Sequence, residues 1–194
     1  MTASSPEAGS PAPPAPATRF HGTLYRALNP RWMREPLSGE GARRHGGRFN
    51  ARGRAALYTA LDPLTAIAEA SQAGQPLQPV TLVSYAAALD RVFDATDPAA
   101  LAAEGVTAEN LAAPDWRLRM AAPGASRPRS PAGYLDKANE LAPGQALAER
   151  LIADGYAAML VPSYARTAQP WSRNLVLWDW DGRVAVNDAE GRLG

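Results

Sequence analysis

The stretch from His45 to Ser71 reads HGGRFNARGRAALYTALDPLTAIAEAS. Its second half sets the architecture. Ala55 to Ala60 is a short, mostly apolar run holding Tyr58 and Thr59, which predicts a strand. Asp62-Pro63 follows, an N-cap residue with proline at the first helical position. A helix is therefore expected from Pro63 to about Gln72, stopping before Gly74. Leu64, Ile67, Ala68 and Ser71 share one face of that helix, and Glu69 stands well off it. The first half has a different character. Gly46 and Gly47 beside Arg48 give a backbone that can approach a ligand closely next to a guanidinium.

Outward from this stretch, short strands and helices alternate without a regular βαβ rhythm. His21–Leu28 predicts a strand with Arg26 near its end, and residues 29–54 a long loop. Pro79–Leu89 predicts another strand, extended through Arg91–Asp94. Asp97-Pro98 and Thr107 cap short helices. Residues 121–133 are a Pro/Gly/Ser/Arg loop. Pro143–Ala153 predicts a helix closed by Gly155, and Tyr156–Val161 a strand. Asn174–Trp180, Asp181-Gly182 and Arg183–Asn187 carry the pattern of a β-hairpin with a tight turn. The expected class is α+β with a mostly antiparallel or split sheet.

Length and composition bound the function. The chain has 194 residues, which suits one domain. Residues 1–18 are Pro, Ala and Ser with almost no large apolar side chain, so a disordered tail is expected before a domain at 19–194. That tail lacks the pattern of a signal peptide, and no apolar run approaches a membrane span. A soluble cytoplasmic protein without a membrane partner is expected. Cysteine is absent, which excludes disulfides and zinc–thiolate sites. With only His21 and His45 besides, no metal site is expected. Net charge is +1, which argues against direct nucleic-acid binding. The charge is unevenly spread: nine arginines face two acids between Arg19 and Arg54. That density is either a solvated basic face or an anion pocket, since the guanidinium fork matches phosphate oxygens in pairs.

Other chemistries find no support. No G-x-S-x-G elbow marks a serine nucleophile. Gly39-Glu40-Gly41 lacks the third glycine of a dinucleotide fingerprint, and no Walker loop is present. Cleavage of a glycosidic bond to a cationic base makes particular demands. Such a leaving group needs no acid. The developing oxocarbenium ion needs negative charge nearby, the pyrophosphate needs guanidinium or N–H donors, and a flat base can stack on an aromatic ring. Glu69, Arg26, Arg48 and Tyr58 supply these. Each also has a plainer reading: Glu69 as a solvated helix residue, Arg26 as a strand-face charge, Arg48 as a loop cap on carbonyls, and Tyr58 as core.

At these residues the chain resembles the RES-domain family, the toxin half of bacterial RES–Xre toxin–antitoxin pairs. The matching segments are Tyr25-Arg26, Gly46-Gly47-Arg48-Phe49-Asn50, Leu57-Tyr58, Ala66-Ile67-Ala68-Glu69, Val161-Pro162-Ser163 and Asn174-Leu175-Val176-Leu177. The resemblance spans roughly residues 20–180. The Arg, Glu and Ser of the family name map to Arg26 or Arg48, Glu69 and Ser163. It implies an ADP-ribosyltransferase-like split antiparallel sheet with flanking helices, consumption of NAD as substrate, and a partner antitoxin of Xre type. By the same resemblance, Arg26, Arg48 and Arg31 would bind NAD phosphates or ribose, with Gly47 allowing close approach. Tyr58 would meet nicotinamide or ribose. Glu69 would hold a ribose hydroxyl and stabilise the cation. Ser163 would bond substrate, and Asn174 would support its loop. Ser163 as a turn residue and Asn174 as a hairpin start remain the plainer alternatives. Three activities stay open: ADP-ribosyl transfer to a target protein, NAD cleavage with water or phosphate as acceptor, and non-catalytic binding of a nucleotide or acidic segment.

Overall fold

A computed structural model describes residues 17–71, 78–119 and 141–191. Six strands, β1 (Thr18–Leu28), β2 (Leu57–Ala60), β3 (Thr81–Asp94), β4 (Ala158–Pro162), β5 (Arg173–Leu177) and β6 (Val184–Val186), form one mostly antiparallel sheet. Among the described residues six helices flank it: α1 (Glu40–His45), α2 (Pro63–Ala70), α3 (Pro98–Ala103), α4 (Ala108–Ala112), α5 (Trp116–Arg119) and α6 (Pro143–Ala153). The mixed α+β class expected from the sequence is what forms. Strand pairing runs β1–β2–β5–β4–β3 and returns from β3 to β1, so the sheet closes on itself. Only β3 and β4 run parallel.

Closure buries the central strands on both faces, which is why β4 and β5 are nearly continuous apolar runs. Successive side chains enter opposite cores. Leu175, Leu177 and Ala158 join Leu24, Leu57, Val83 and Tyr85 in one. Val176 and Met159 join Phe49, Phe93, Leu147 and Leu151 in the other.

Several helix boundaries follow the sequence signals. Asp62 caps α2 through the Thr65 N–H at 2.8 Å. Asp97 caps α3 through the Ala99 N–H at 2.9 Å. Thr107 caps α4 through the Asn110 N–H at 3.3 Å. Gly155, at φ 82°, follows α6 as expected.

Five expectations are corrected. β1 begins at Thr18, whose hydroxyl donates to the Val92 carbonyl, so the last residue of the supposed tail belongs to the sheet. The loop at 29–54 contains a 3-10 turn at Pro30–Trp32 and helix α1. The strand expected from Pro79 through Asp94 forms as one run of 14 residues, but it starts at Thr81 instead of Pro79. The hairpin does not form. The Asp181-Gly182 turn is present, with Gly182 at φ 68°, but both edges of β5 are taken by β2 and β4. The chain therefore carries β6 on to β3. The expected tail at 1–16 and the loop at 121–133 lie outside the described residues; α2 ends at Ala70 with Ser71 as its C-cap, two residues before the expected Gln72.

Candidate functional site

The last turn of α2 carries Glu69 to the open end of the sheet. Its side chain is exposed, yet one carboxylate oxygen is held firmly. Glu69 Oε1 accepts from the Ser163 hydroxyl and from Asn174 Nδ2, each at 2.5 Å. Ser163 directly follows β4, and Asn174 stands on β5 paired with Val161 of β4 and Ala60 of β2. Three elements thus converge on one carboxylate, whose Oε2 has no hydrogen-bond partner among the described residues. The orientation of the Asn174 amide is fixed by this carboxylate, because only its NH2 end can donate. Its Oδ1 is then a buried acceptor with no partner among the described residues.

Opposite lies the glycine–arginine loop, built around Asn50. This side chain is fully buried and its Nδ2 reaches the carbonyls of Ala42, Ala51 and Arg54 at 2.9–3.1 Å. Its Oδ1 accepts from the Tyr58 hydroxyl at 2.7 Å. That hydroxyl also accepts from the Phe49 N–H at 3.0 Å. Burial pushes the Tyr58 phenol well above its ordinary value of 10.0. Gly47 is required here by space rather than by dihedral: a Cβ would run into the Tyr58 hydroxyl and lie 2.6 Å from Asn50 Oδ1. Buried Gln145 of α6 donates to the Gly47 carbonyl at 2.9 Å.

Arg48 projects from this loop. Its Nη1 donates to the carbonyls of Leu111 and Ala113 at 2.7 and 2.9 Å. Its guanidinium lies 4.5 Å from the Tyr164 ring centroid and 5.7 Å from that of Trp116. Burial lowers its pKa, partly countered by Tyr164 and by the Glu69 charge.

Two adjoining cavities meet at the carboxylate. The larger, about 690 Å³, is walled by Gly47, Arg48, Tyr58, Glu69, Tyr164 and Asn174, and also by Trp116, Arg117 and Arg166. The smaller, about 190 Å³, shares Tyr58, Glu69 and Asn174 and adds Tyr25 and Arg26. Arg26 turns its Nη1 to the carbonyls of Pro36 and Ser38 at 3.4 and 3.2 Å. Burial lowers its pKa as well.

Of the residues singled out from the sequence, Glu69, Arg48, Tyr58, Gly47 and Asn174 share the larger cavity. Arg26 reaches the smaller one, and Ser163 joins through Glu69. Arg31 does not join them. It is exposed, lies over Trp32 at 5.0 Å and lines neither cavity. Sequence reasoning gave no role to Asn50, Gln145, Tyr164, Trp116, Arg117 or Arg166. Asn50 carried a signal, as the polar end of GGRFN. The adjacent Trp116-Arg117 pair carried a weaker one.

These features define a class: a closed, mostly antiparallel α+β domain with a carboxylate pinned between two cavities that carry arginines. The RES-domain family matches residues 23–193, and the chain belongs to that family. The fold is similar to that of a chain in the crystal structure of the M. tuberculosis MbcT–MbcA toxin–antitoxin complex. The TM-score is 0.59 at 21% identity, over 88% of this chain and 83% of that one. No curated protein matches the chain.

Proposed function

We propose that this chain is the toxin of a toxin–antitoxin pair and an NAD-dependent ADP-ribosyltransferase that modifies a target protein. Membership of the RES-domain family and the fold shared with a chain of a toxin–antitoxin complex support the first part. The observation that carries the second is the Glu69 carboxylate, with Oε1 pinned by Ser163 and Asn174 and Oε2 left for a ligand.

In this reading the pyrophosphate lies against Arg48, Arg117 and Arg166 in the larger cavity, and the nicotinamide ribose meets Glu69. Oε2 accepts a ribose hydroxyl. The nicotinamide–ribose bond breaks with its electron pair going to the ring nitrogen, which leaves as neutral nicotinamide. The cation on the ribose is stabilised by the adjacent carboxylate. An acceptor hydroxyl, amine or carboxylate then forms the new bond to the same carbon, losing its proton to solvent if it carries one. Ser163 and Asn174 keep the carboxylate in place throughout. The restraining partner is an antitoxin of Xre type.

A second reading has water or phosphate as the acceptor, so that the protein depletes NAD. Its phosphate form is supported by Arg166, a third guanidinium on the cavity wall that can hold an inorganic phosphate where Arg48 and Arg117 take the pyrophosphate. Incubation with NAD and whole-cell lysate, followed by mass spectrometry of both NAD products and proteins, separates these outcomes. ADP-ribose on a protein supports transfer; free ADP-ribose or its 1″-phosphate supports depletion. Intact NAD would refute both.

A further inference from the structure

Outside both cavities, a buried pair of hydroxyls ties the helix carrying Glu69 to the segments that hold its carboxylate. Thr65 precedes Glu69 by four residues and so shares its face of α2. Thr65 is 2% exposed and Ser172 5%. Their hydroxyl oxygens are 2.9 Å apart. Asp62 Oδ2 takes the Thr65 hydroxyl hydrogen at 2.6 Å. A hydroxyl has a single hydrogen, so the one between the pair comes from Ser172. Ser172 Oγ also accepts from the Gln169 N–H at 3.1 Å.

The connection continues through the main chain of Ser172. Its carbonyl accepts from the Ser163 N–H at 3.0 Å. Asn174 follows two residues later. Helix α2 is thus fastened to the 163–174 segment at two levels: Thr65 to Ser172 in the interior, and Glu69 to Ser163 and Asn174 at the cavity. The N-cap alone would satisfy the helix end through Asp62 and the Thr65 N–H. The additional bond to Ser172 fixes where α2 sits along the segment.

We propose that Thr65 and Ser172 are positioning residues for Glu69. Their bond sets α2 so that Oε1 falls between Ser163 and Asn174. The catalytic consequence rests on the NAD-cleaving reading above; the placement itself does not. A reacting group displaced by ~1 Å loses about a hundredfold in rate, so even a partial displacement is measurable.

Thr65→Val removes the hydroxyl at nearly constant volume. The kcat for nicotinamide release from NAD should fall about tenfold or more, while KM stays within about twofold, the signature of an effect on the reacting geometry alone. Thr65→Ser should restore kcat. A second readout needs no turnover: the side-chain amide resonance of Asn174 reports its bond to Glu69. It should move in Thr65→Val and stay in Thr65→Ser. Ser172→Ala leaves the Asp62 cap intact, should reproduce both changes, and decides the matter if Thr65→Val does not fold. Wild-type kcat with an unmoved Asn174 resonance, in either folded variant, would overturn the proposal. A wild-type protein that releases no nicotinamide, with a resonance that still moves in the variants, would sink the NAD reading and leave the positioning role standing.

Discussion

The two walls of the larger cavity are built on opposite plans. In the glycine–arginine wall the polar groups are used internally. Asn50 bonds three carbonyls and the Tyr58 hydroxyl; that hydroxyl bonds Phe49; Gln145 bonds Gly47; and Arg48 bonds Leu111 and Ala113. In the Glu69 wall the carboxylate is exposed, and among the described residues only one of its oxygens is engaged. A satisfied buried network rigidifies, whereas an exposed charged group with spare acceptor capacity is available for chemistry. Residues that lie close together in one motif thus do different work. Asn50 and Tyr58 shape the cavity, Glu69 presents its carboxylate to it, and Arg48 contributes to both with the part of its guanidinium not given to carbonyls.

That contrast can be broken first at Glu69. Glu69→Gln keeps the shape but removes the charge. Losing a charged hydrogen bond at the reacting centre costs about 2–3 kcal/mol, so nicotinamide release should slow about a hundredfold, with the thermal midpoint hardly changed. Near-wild-type turnover in a folded Glu69→Gln protein would erase the distinction between the walls.

The opposite pattern is expected at Gly47. Gly47→Ala drives a methyl into Tyr58 and Asn50, and overpacking of this kind costs about 1–3 kcal/mol. Chemical denaturation should show that loss. An unchanged midpoint would mean that the loop yields easily and is not the rigid wall described.

Tyr58→Phe removes one bond to Asn50 and one to Phe49, worth about 1 kcal/mol each. It should lower stability while leaving kcat within several-fold. A collapse of kcat at unchanged stability would move Tyr58 to the chemical side. The alkaline limb adds a check. Because burial raises the folded-state pKa of Tyr58 above 10.0, its stabilising share is complete below about pH 10 and is lost as pH rises from there. Tyr85 and Tyr164 are shifted the same way. Tyr58→Phe should therefore lessen the alkaline loss without abolishing it, as denaturation between pH 9 and about 11 would read.

How much of this was legible in the sequence follows the range of the forces involved. Local signals worked: Asp62-Pro63, Asp97-Pro98, Thr107 and Gly155 each depend on bonds within a few residues, and each marks a helix end. Glu69 stood out as the acid lying off the apolar stripe of its own helix, although that stripe is not the buried face: Leu64 is exposed while Thr65 and Ala66 are buried. Pairing choices were not legible. Asp181-Gly182 makes its turn, but β6 goes to β3 because β5 has no free edge: β4 takes one, and β2, more than a hundred positions upstream, takes the other. Likewise, nothing near Asn50 announces Tyr58 or Gln145 as its neighbours. Arg48 does bond carbonyls, as its plainer reading expected, but which carbonyls was not legible, because Leu111 and Ala113 reach it only through the fold.

The smallest expected effect lies at the rim of the structural wall. Arg43 and Arg44 both bond Glu40 at 2.6–2.7 Å and hold its carboxyl at about 2. Since that value is depressed, the attraction is complete above the ordinary 4.5 and is lost as pH falls toward 2. Carboxyl NMR titration should find the low midpoint in the wild type, and its return toward 4.5 when both arginines are replaced by alanine. An ordinary midpoint in the wild type would free these arginines from their structural role.

In the proposed reaction the pinned carboxylate stabilises the ribosyl cation as nicotinamide leaves NAD. The direct measurement is free nicotinamide released when the purified chain meets NAD together with cell lysate, with Glu69→Gln as control. Steady release by the wild type, reduced about a hundredfold in Glu69→Gln, is the expected result. Equal release by both proteins, or none from the wild type in the presence of NAD and cell lysate, would contradict it.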